Sequence, residues 1–277
     1  MKGELLDMKQ CYATYLGSND YLIGTISLYL SLISVGGDSL LVMTSPKVGE
    51  KEKSILRNLS IPYMDVQVPD IPKQIQEFNS SHGFPHWNQT FAKLSMFDLA
   101  DYDKIIFLDS DMMVLQNIDH LFSKKNFSAV ASGRAYPGHE DWVQLNSGLI
   151  IIEPKVGLTK QLISKIPATV SNVIGDQDIL HAYQPNWPKK KELHLSEGYN
   201  LFIDCVDYYL SHGILCEDDI YVIHFEGIKP WKRSRMSSIK YITKLILKMK
   251  WRQIKYFMKY QQYIDKSKKI IDNGESY

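Results

Sequence analysis

The chain has 277 residues, 44% apolar and 23% charged, with a formal net charge of +1. This is ordinary globular composition, and one large α/β domain, or a domain plus a tail, can bury its core without covalent staples. Three cysteines (Cys11, Cys205, Cys216) without CxxC spacing exclude a disulfide framework and fit reduced thiols in a cytoplasmic protein. The first ten residues carry Lys2, Glu4, Asp7 and Lys9 with no apolar core after them, so no export signal is expected. The small net charge hides an asymmetry, because residues 232–269 hold 13 Lys/Arg against the single acid Asp265. The rest of the chain is therefore acidic, and two regions are expected: residues 1–231 as a catalytic domain and 232–277 as a basic helical extension.

Residues 10–16 (QCYATYL) predict a first strand. The uncharged stretch 21–37 follows, punctuated by Thr25, Ser27, Ser31 and Ser34. It is shorter than the roughly 20 residues of a spanning helix, so a buried helix over 21–35, ended by Gly36-Gly37, is expected. Residues 39–44 predict a second strand, 51–59 a helix, and 63–68 a third strand closed by Pro69 and Pro72. Residues 79–88 look like a loop, and 89–99 predict a helix. The apolar run Ile105, Ile106, Phe107, Leu108 has the length of a strand buried on both faces. Further strands are expected at 129–132, 149–152 and 221–225, with helices at 160–165 and 178–183. The alternation predicts a mixed, mainly parallel sheet with right-handed crossovers. In the tail, Ile239, Ile242, Ile246 and Met249 recur at helical spacing.

The run 105–108 stops at Asp109-Ser110-Asp111. Ligands of open α/β sheets bind just past the carboxyl ends of such strands. Two carboxylates one residue apart there can hold a hard divalent cation, and through it a diphosphate; the alternative is a pair of solvated turn aspartates.

Four motifs in order resemble the glycogenin-like glycosyltransferases, family 8 of the retaining enzymes with the GT-A fold. They are KLSMFDLADYDKIIFLDSDMMVLQNIDHLF, LNSGLIIIEP, GDQDIL and VIHFEGIKPW. The resemblance covers residues 12–231 and implies a transferase that uses a UDP-sugar and Mn²⁺, with Mg²⁺ as the alternative. It places Asp109, Asp111 and His224 on the metal; carboxylates, phosphate and one imidazole suit Mn²⁺ better than Ca²⁺. It places Lys229 on the β-phosphate and the backbone of Gly227 beside the diphosphate. Ile228 alone separates these two, where glycogenin has two residues. Thr14, Tyr15, Leu16 and Tyr21 would contact the base, Ser110 the ribose, and Lys93 the sugar or phosphate. Asn146 and Ser147 belong to the sugar side. Asp176 would bind sugar hydroxyls and Gln177 would lie near the anomeric carbon, with Lys93 completing the catalytic set. A carboxylate at a helix start is also a plain cap, and Tyr21 could equally cap the core. Where glycogenin has an acid three residues before its DQ, this chain has Val173, so the donor sugar does not carry over.

The expected reaction retains the anomeric configuration, with UDP-glucose or UDP-galactose favoured as donor. The acceptor is expected to be a glycan, a polyol or a protein-linked sugar. A catalytically silent UDP-sugar-binding relative is one alternative. A self-glycosylating primer is another, since Tyr208 and Tyr209 follow YNL, although aromatic packing fits them better. The basic tail could pack on the body, meet a second copy, or lie on a membrane surface; no nucleic acid is expected.

Overall fold

The computed structural model describes residues 8–85, 87–166, 172, 174–227 and 229–273. Ile228 and Val173 lie outside the described residues. Strand β1 (Gln10–Leu16) alternates its side chains between two layers. Cys11 and Ala13 face one core, while Tyr12 and Leu16 face the other. Helix α1 (Leu22–Ser34), β2 (Leu40–Thr44), α2 (Glu50–Asn58) and β3 (Tyr63–Asp65) follow. Helices α3 (Lys73–Ser81) and α4 (Trp87–Thr90) lead into a 3₁₀ segment, Phe91–Asp98, and then β4 (Lys104–Leu108). Beyond it come β5 (Met112–Val114), β6 (Ala129–Val130), β7 (Asn146–Ile152), α5 (Leu158–Ile163) and α6 (Asp176–Tyr183). The chain closes with β8 (Leu201–Phe202), α7 (Val206–Ser211), β9 (Val222–His224), α8 (Arg235–Leu247) and α9 (Trp251–Asn273).

Six strands form one sheet in the order β3-β2-β1-β4-β7-β6. The first four are mutually parallel, and β7 runs antiparallel to both β4 and β6. The chain first builds outward from β1 through β2 to β3, then returns to β4 on the other side of β1. The crevice past the carboxyl ends of β1 and β4 is thus a topological switch point, where such sheets bind ligands. A second sheet, β5-β9-β8, stands beside this crevice.

The serines of α1 contribute to packing. Ser31 Oγ donates to Leu28 O at 2.8 Å and accepts the amide of Val114 at 3.0 Å, pinning β5. Ser27 Oγ lies 3.0 Å from Ser267 Oγ on α9. Gly24 lets α1 approach the aspartate loop: a Cβ there would lie 2.8 Å from Ser110 O and 2.7 Å from Trp231 Cη2. No helix among the described residues is long and apolar enough to cross a membrane.

Several elements differ from the sequence expectation. Residues 79–81 finish a helix instead of lying in a loop, and the third strand is three residues long. The helix expected over 89–99 is one α turn followed by 3₁₀ backbone. β5 and β8 are too short to carry a periodic signal. In the tail, Ile239, Ile246 and Met249 are exposed by 50%, 44% and 73%, so most of the apolar stripe faces outward. It is α9 that packs on the body, burying Phe257, Tyr260 and Ile264 in one cluster with Met113, Ile223 and Phe225. Phe225 and Tyr260 stack with ring centroids 4.1 Å apart.

Candidate active site

A cavity of about 280 Å³ occupies the switch-point crevice, lined among others by Tyr15, Tyr21, Lys93, Asp109, Ser110, Asp111 and Lys229. Gln89 and Thr90 from α4 complete its wall; nothing in the local sequence singled these two out. Thr14 and Leu16 are fully buried, Leu16 in the core beside Tyr12, whereas Tyr15 reaches the cavity. Tyr21 lines the cavity and also packs edge-on against Trp231 at 5.7 Å, with Lys232 Nζ 4.3 Å from its ring centroid. Tyr21 thus forms part of the cavity wall and packs against the aromatic Trp231.

Oxygens of Asp109 and Asp111 and a ring nitrogen of His224 lie within 4.8 Å of one another, a spacing that can hold one metal ion. The β5–β9 ladder produces this convergence. Met112 pairs with His224, and the Phe225 amide donates to Asp111 O at 2.9 Å. Residues more than a hundred positions apart are thereby brought to one point.

The orientation of His224 follows from a chain of hydrogen bonds. The Gly148 amide donates to Asn146 at 2.9 Å, which makes that acceptor Oδ1. Asn200 approaches the same oxygen at 2.8 Å and must present its NH₂ group. Its own Oδ1 then faces His224 Nδ1 at 2.9 Å, and that nitrogen carries the proton. With Nδ1 turned to Asn200, Nε2 faces Asp111 Oδ1, 3.3 Å away, and Asp109 Oδ2, 4.0 Å away. Two carboxylate oxygens and one imidazole nitrogen converging on one point make a donor set that fits a divalent transition metal. Gly148 leaves room for the ring, since a Cβ there would lie 2.8 Å from His224 Cε1. Asn200, which sequence reasoning did not single out, orients the His224 ring, as an outer-shell partner does for a metal-ligating imidazole. Asn200→Leu is expected to weaken Mn²⁺ affinity by about 10–100-fold while leaving the fold intact, as read by calorimetric titration.

Two lysines bracket the carboxylates. Lys93 Nζ lies 2.8 Å from Asp109 Oδ1 and 3.1 Å from Asp176 Oδ2. Burial opposes its charge, but the two carboxylates more than reverse this and hold the ammonium above the ordinary lysine range. Lys229 contacts Asp111 Oδ2. Burial would raise the Asp111 carboxyl, yet His224 and Lys229 together hold it well below the usual carboxylate range. Gly227, with φ +71°, occupies the left-handed region that favours glycine.

At the start of α6 the two carboxylates have separate tasks. Asp178 Oδ2 accepts the Gly175 amide at 2.8 Å and caps the helix, whereas Asp176 turns to Lys93. Gln177 Oε1 accepts the Ser147 amide at 3.0 Å, tying α6 to β7. Asn146 supplies the oxygen shared by Gly148 and Asn200, so it lies behind the metal-ligand set. Tyr209 is fully buried; its hydroxyl donates to Glu197 and accepts the Ala135 amide at 3.0 Å. Tyr208 packs on His212 and Tyr136.

Comparisons with known proteins identify the family. A family model, Glycosyl transferase family 8, matches residues 13–235. Inositol phosphorylceramide glucuronosyltransferase 1 of Arabidopsis thaliana is 26% identical over 245 residues, covering 80% of this chain and 42% of that protein. Glycogenin-1 of Mus musculus is 29% identical over 229 residues, covering 80% and 65%. The chain thus spans less than two thirds of either relative. The solved apo form of the glycosyltransferase GlyE of Streptococcus pneumoniae TIGR4 is similar in fold, with a TM-score of 0.57 and 17% identity over 94% of this chain and 63% of that one. The mixed sheet with flanking helices is accordingly a GT-A architecture. The chain belongs to glycosyltransferase family 8.

Proposed function

We propose that this chain is a metal-dependent retaining hexosyltransferase that moves a sugar from a UDP-sugar to a hydroxyl of a separate acceptor. The observation that carries the reading is the convergence of Asp109, Asp111 and a His224 oriented by Asn200 beside Lys93 and Lys229 in one crevice. Asp109, Asp111 and His224 would hold the ion, Mn²⁺ before Mg²⁺. A divalent cation held there would neutralise the charge that grows on the leaving phosphate. Lys229 supplies a second positive charge for the β-phosphate. Tyr15 and Tyr21 offer aromatic faces to the base, and Ser110 a hydroxyl to the ribose. Lys93 fixes Asp176 and Asp109 in one geometry, so that Asp176 and Gln177 can position the sugar. Preorganised charge and positioning would thus supply most of the rate enhancement.

Glucose or galactose is the proposed sugar, and a glycan, a polyol or a protein-linked sugar the acceptor. Transfer to a separate acceptor is favoured over self-modification because the Tyr209 hydroxyl is buried and engaged on both sides. The silent-relative reading is disfavoured by the intact triad and both lysines.

The reading is tested by UDP release across a panel of UDP-sugars with Mn²⁺ or EDTA, and by the anomeric configuration of the product. Turnover of one sugar with Mn²⁺ alone and an α-linked product are expected. UDP binding without release from any sugar would favour the silent relative.

A further inference from the structure

A second and larger cavity, about 610 Å³, lies between α8, α9 and the segment after β8. Its volume falls within the range of small-molecule sites. Five cationic residues line it, Arg233, Lys240, Lys244, Lys248 and Lys250, against the single acid Asp204. That acid is already engaged, because its Oδ1 accepts from Gln253 Nε2. No described ion pair involves any of the five cations, although their neighbours Lys232 and Lys255 pair with Asp20 and Glu217 at 2.5 Å each. Arg233 is held in place by Tyr241, 4.7 Å from its ring centroid, and by Ser237 O at 3.3 Å. Its Nε is buried with no partner among the described residues. Five cations around one cavity favour an anion, and a phosphoryl group with several acceptor oxygens suits guanidinium and ammonium donors.

The same corner carries apolar side chains in water. Leu247 is 80%, Met249 73% and Trp251 57% exposed. Leu247 and Ile239 share a shallow groove with Lys240, Lys244 and Lys248. The turn that presents them is built at some cost. The Lys250 amide donates to Leu245 O and the Met249 amide to Ile246 O, each at 2.9 Å, which closes α8 with Met249 in the left-handed position at φ +54°. Glycine ordinarily occupies that position without strain; here a methionine is held outward instead. A site for a soluble phosphate would have no use for this apolar rim.

We propose that the α8–α9 corner is a binding site for an anionic phospholipid surface. One phosphate headgroup would enter the basic cavity, while Leu247, Met249 and Trp251 settle among the headgroups and upper acyl chains. The charge complementarity of the cavity and the exposed rim select this occupant over a soluble phosphate.

The test is co-sedimentation of the full chain with vesicles of phosphatidylcholine alone and with added phosphatidylglycerol. Glycerol 3-phosphate titration serves as the soluble arm. Binding to the anionic vesicles only is expected. Lys240→Gln/Lys244→Gln/Lys248→Gln should lower that partitioning on the order of a hundredfold, and Leu247→Ser/Trp251→Ser should lower it as well. All five substituted side chains are exposed, so both variants should melt as the wild type does and release UDP at its rate. Vesicle binding reads this corner alone and UDP release reads the catalytic crevice alone, so either can fail without the other. Equal binding to neutral and anionic vesicles, or unchanged binding by the lysine variant, would overturn the proposal. So would saturable glycerol 3-phosphate binding without vesicle binding.

Discussion

Replacing Asp109 and Asp111 together by Asn should lower the rate of UDP release by about a thousandfold at saturating Mn²⁺. Asparagine keeps nearly the same shape and one oxygen, so the loop after β4 keeps its path. What disappears is charge: two carboxylates that face His224 Nε2 at 4.0 and 3.3 Å. Stabilisation of phosphate charge by a bound divalent ion is worth several kcal/mol, and about 4 kcal/mol corresponds to about three orders of magnitude in rate. Initial rates give the answer, with the thermal midpoint measured alongside to show that the double variant is folded. Rates near those of the wild type would remove the aspartate pair from the chemistry.

Lys93→Met should have the largest effect on stability. The Lys93 side chain is 9% exposed and stands between Asp109 and Asp176, whose side chains are 26% and 10% exposed. Removing its ammonium leaves two mostly buried carboxylates without a counter-charge, a change that costs about 3–5 kcal/mol in comparable pairs. For a protein of this size the thermal midpoint should fall by roughly 10 °C. Two controls identify the cause. Adding Asp176→Asn to the Lys93→Met variant should return part of the loss, because one of the orphaned charges is gone. Mn²⁺ should raise the midpoint of Lys93→Met more than that of the wild type, since a cation on Asp109 replaces the missing charge. A Lys93→Met midpoint equal to that of the wild type would contradict the ion-pair geometry.

Two members of this cluster, Lys93 and Asp111, add stability that is lost in opposite pH ranges. The folded pKa of Lys93 is raised, so its contribution is complete below the unfolded value near ~10.4 and fades only as pH rises through the folded value. The folded pKa of Asp111 is lowered, so its contribution is present above about 3.9 and is lost only as pH falls through the folded value. Neither group makes stability change across neutral pH.

The sequence was most legible where local patterns are long. The apolar run ending at Asp109 marked β4 and its carboxyl end, and the first strand was found at its observed bounds. The pairing that brings His224 to Asp111 was invisible as structure. β9 falls within the strand expected at 221–225. Its partner β5 has three residues, too few for a periodicity, so the pairing itself could not be read and the family resemblance alone put His224 on the metal. Asn200 carries no signal at all, because an asparagine in a loop becomes an orienting group only once β8 and β9 are adjacent. In the tail, spacing revealed an apolar stripe but not its direction. The large aromatics of α9 took the place on the body, leaving Ile239, Ile246 and Met249 outside.

Calorimetric titration of UDP into the wild-type chain, once with Mn²⁺ and once with EDTA, most directly tests whether the triad of Asp109, Asp111 and His224 holds a cation that in turn holds the nucleotide. Binding that requires Mn²⁺, and that is lost in Asp109→Asn/Asp111→Asn, is the predicted result. Equal affinity for UDP in Mn²⁺ and in EDTA would contradict the metal site on which the proposed transfer rests.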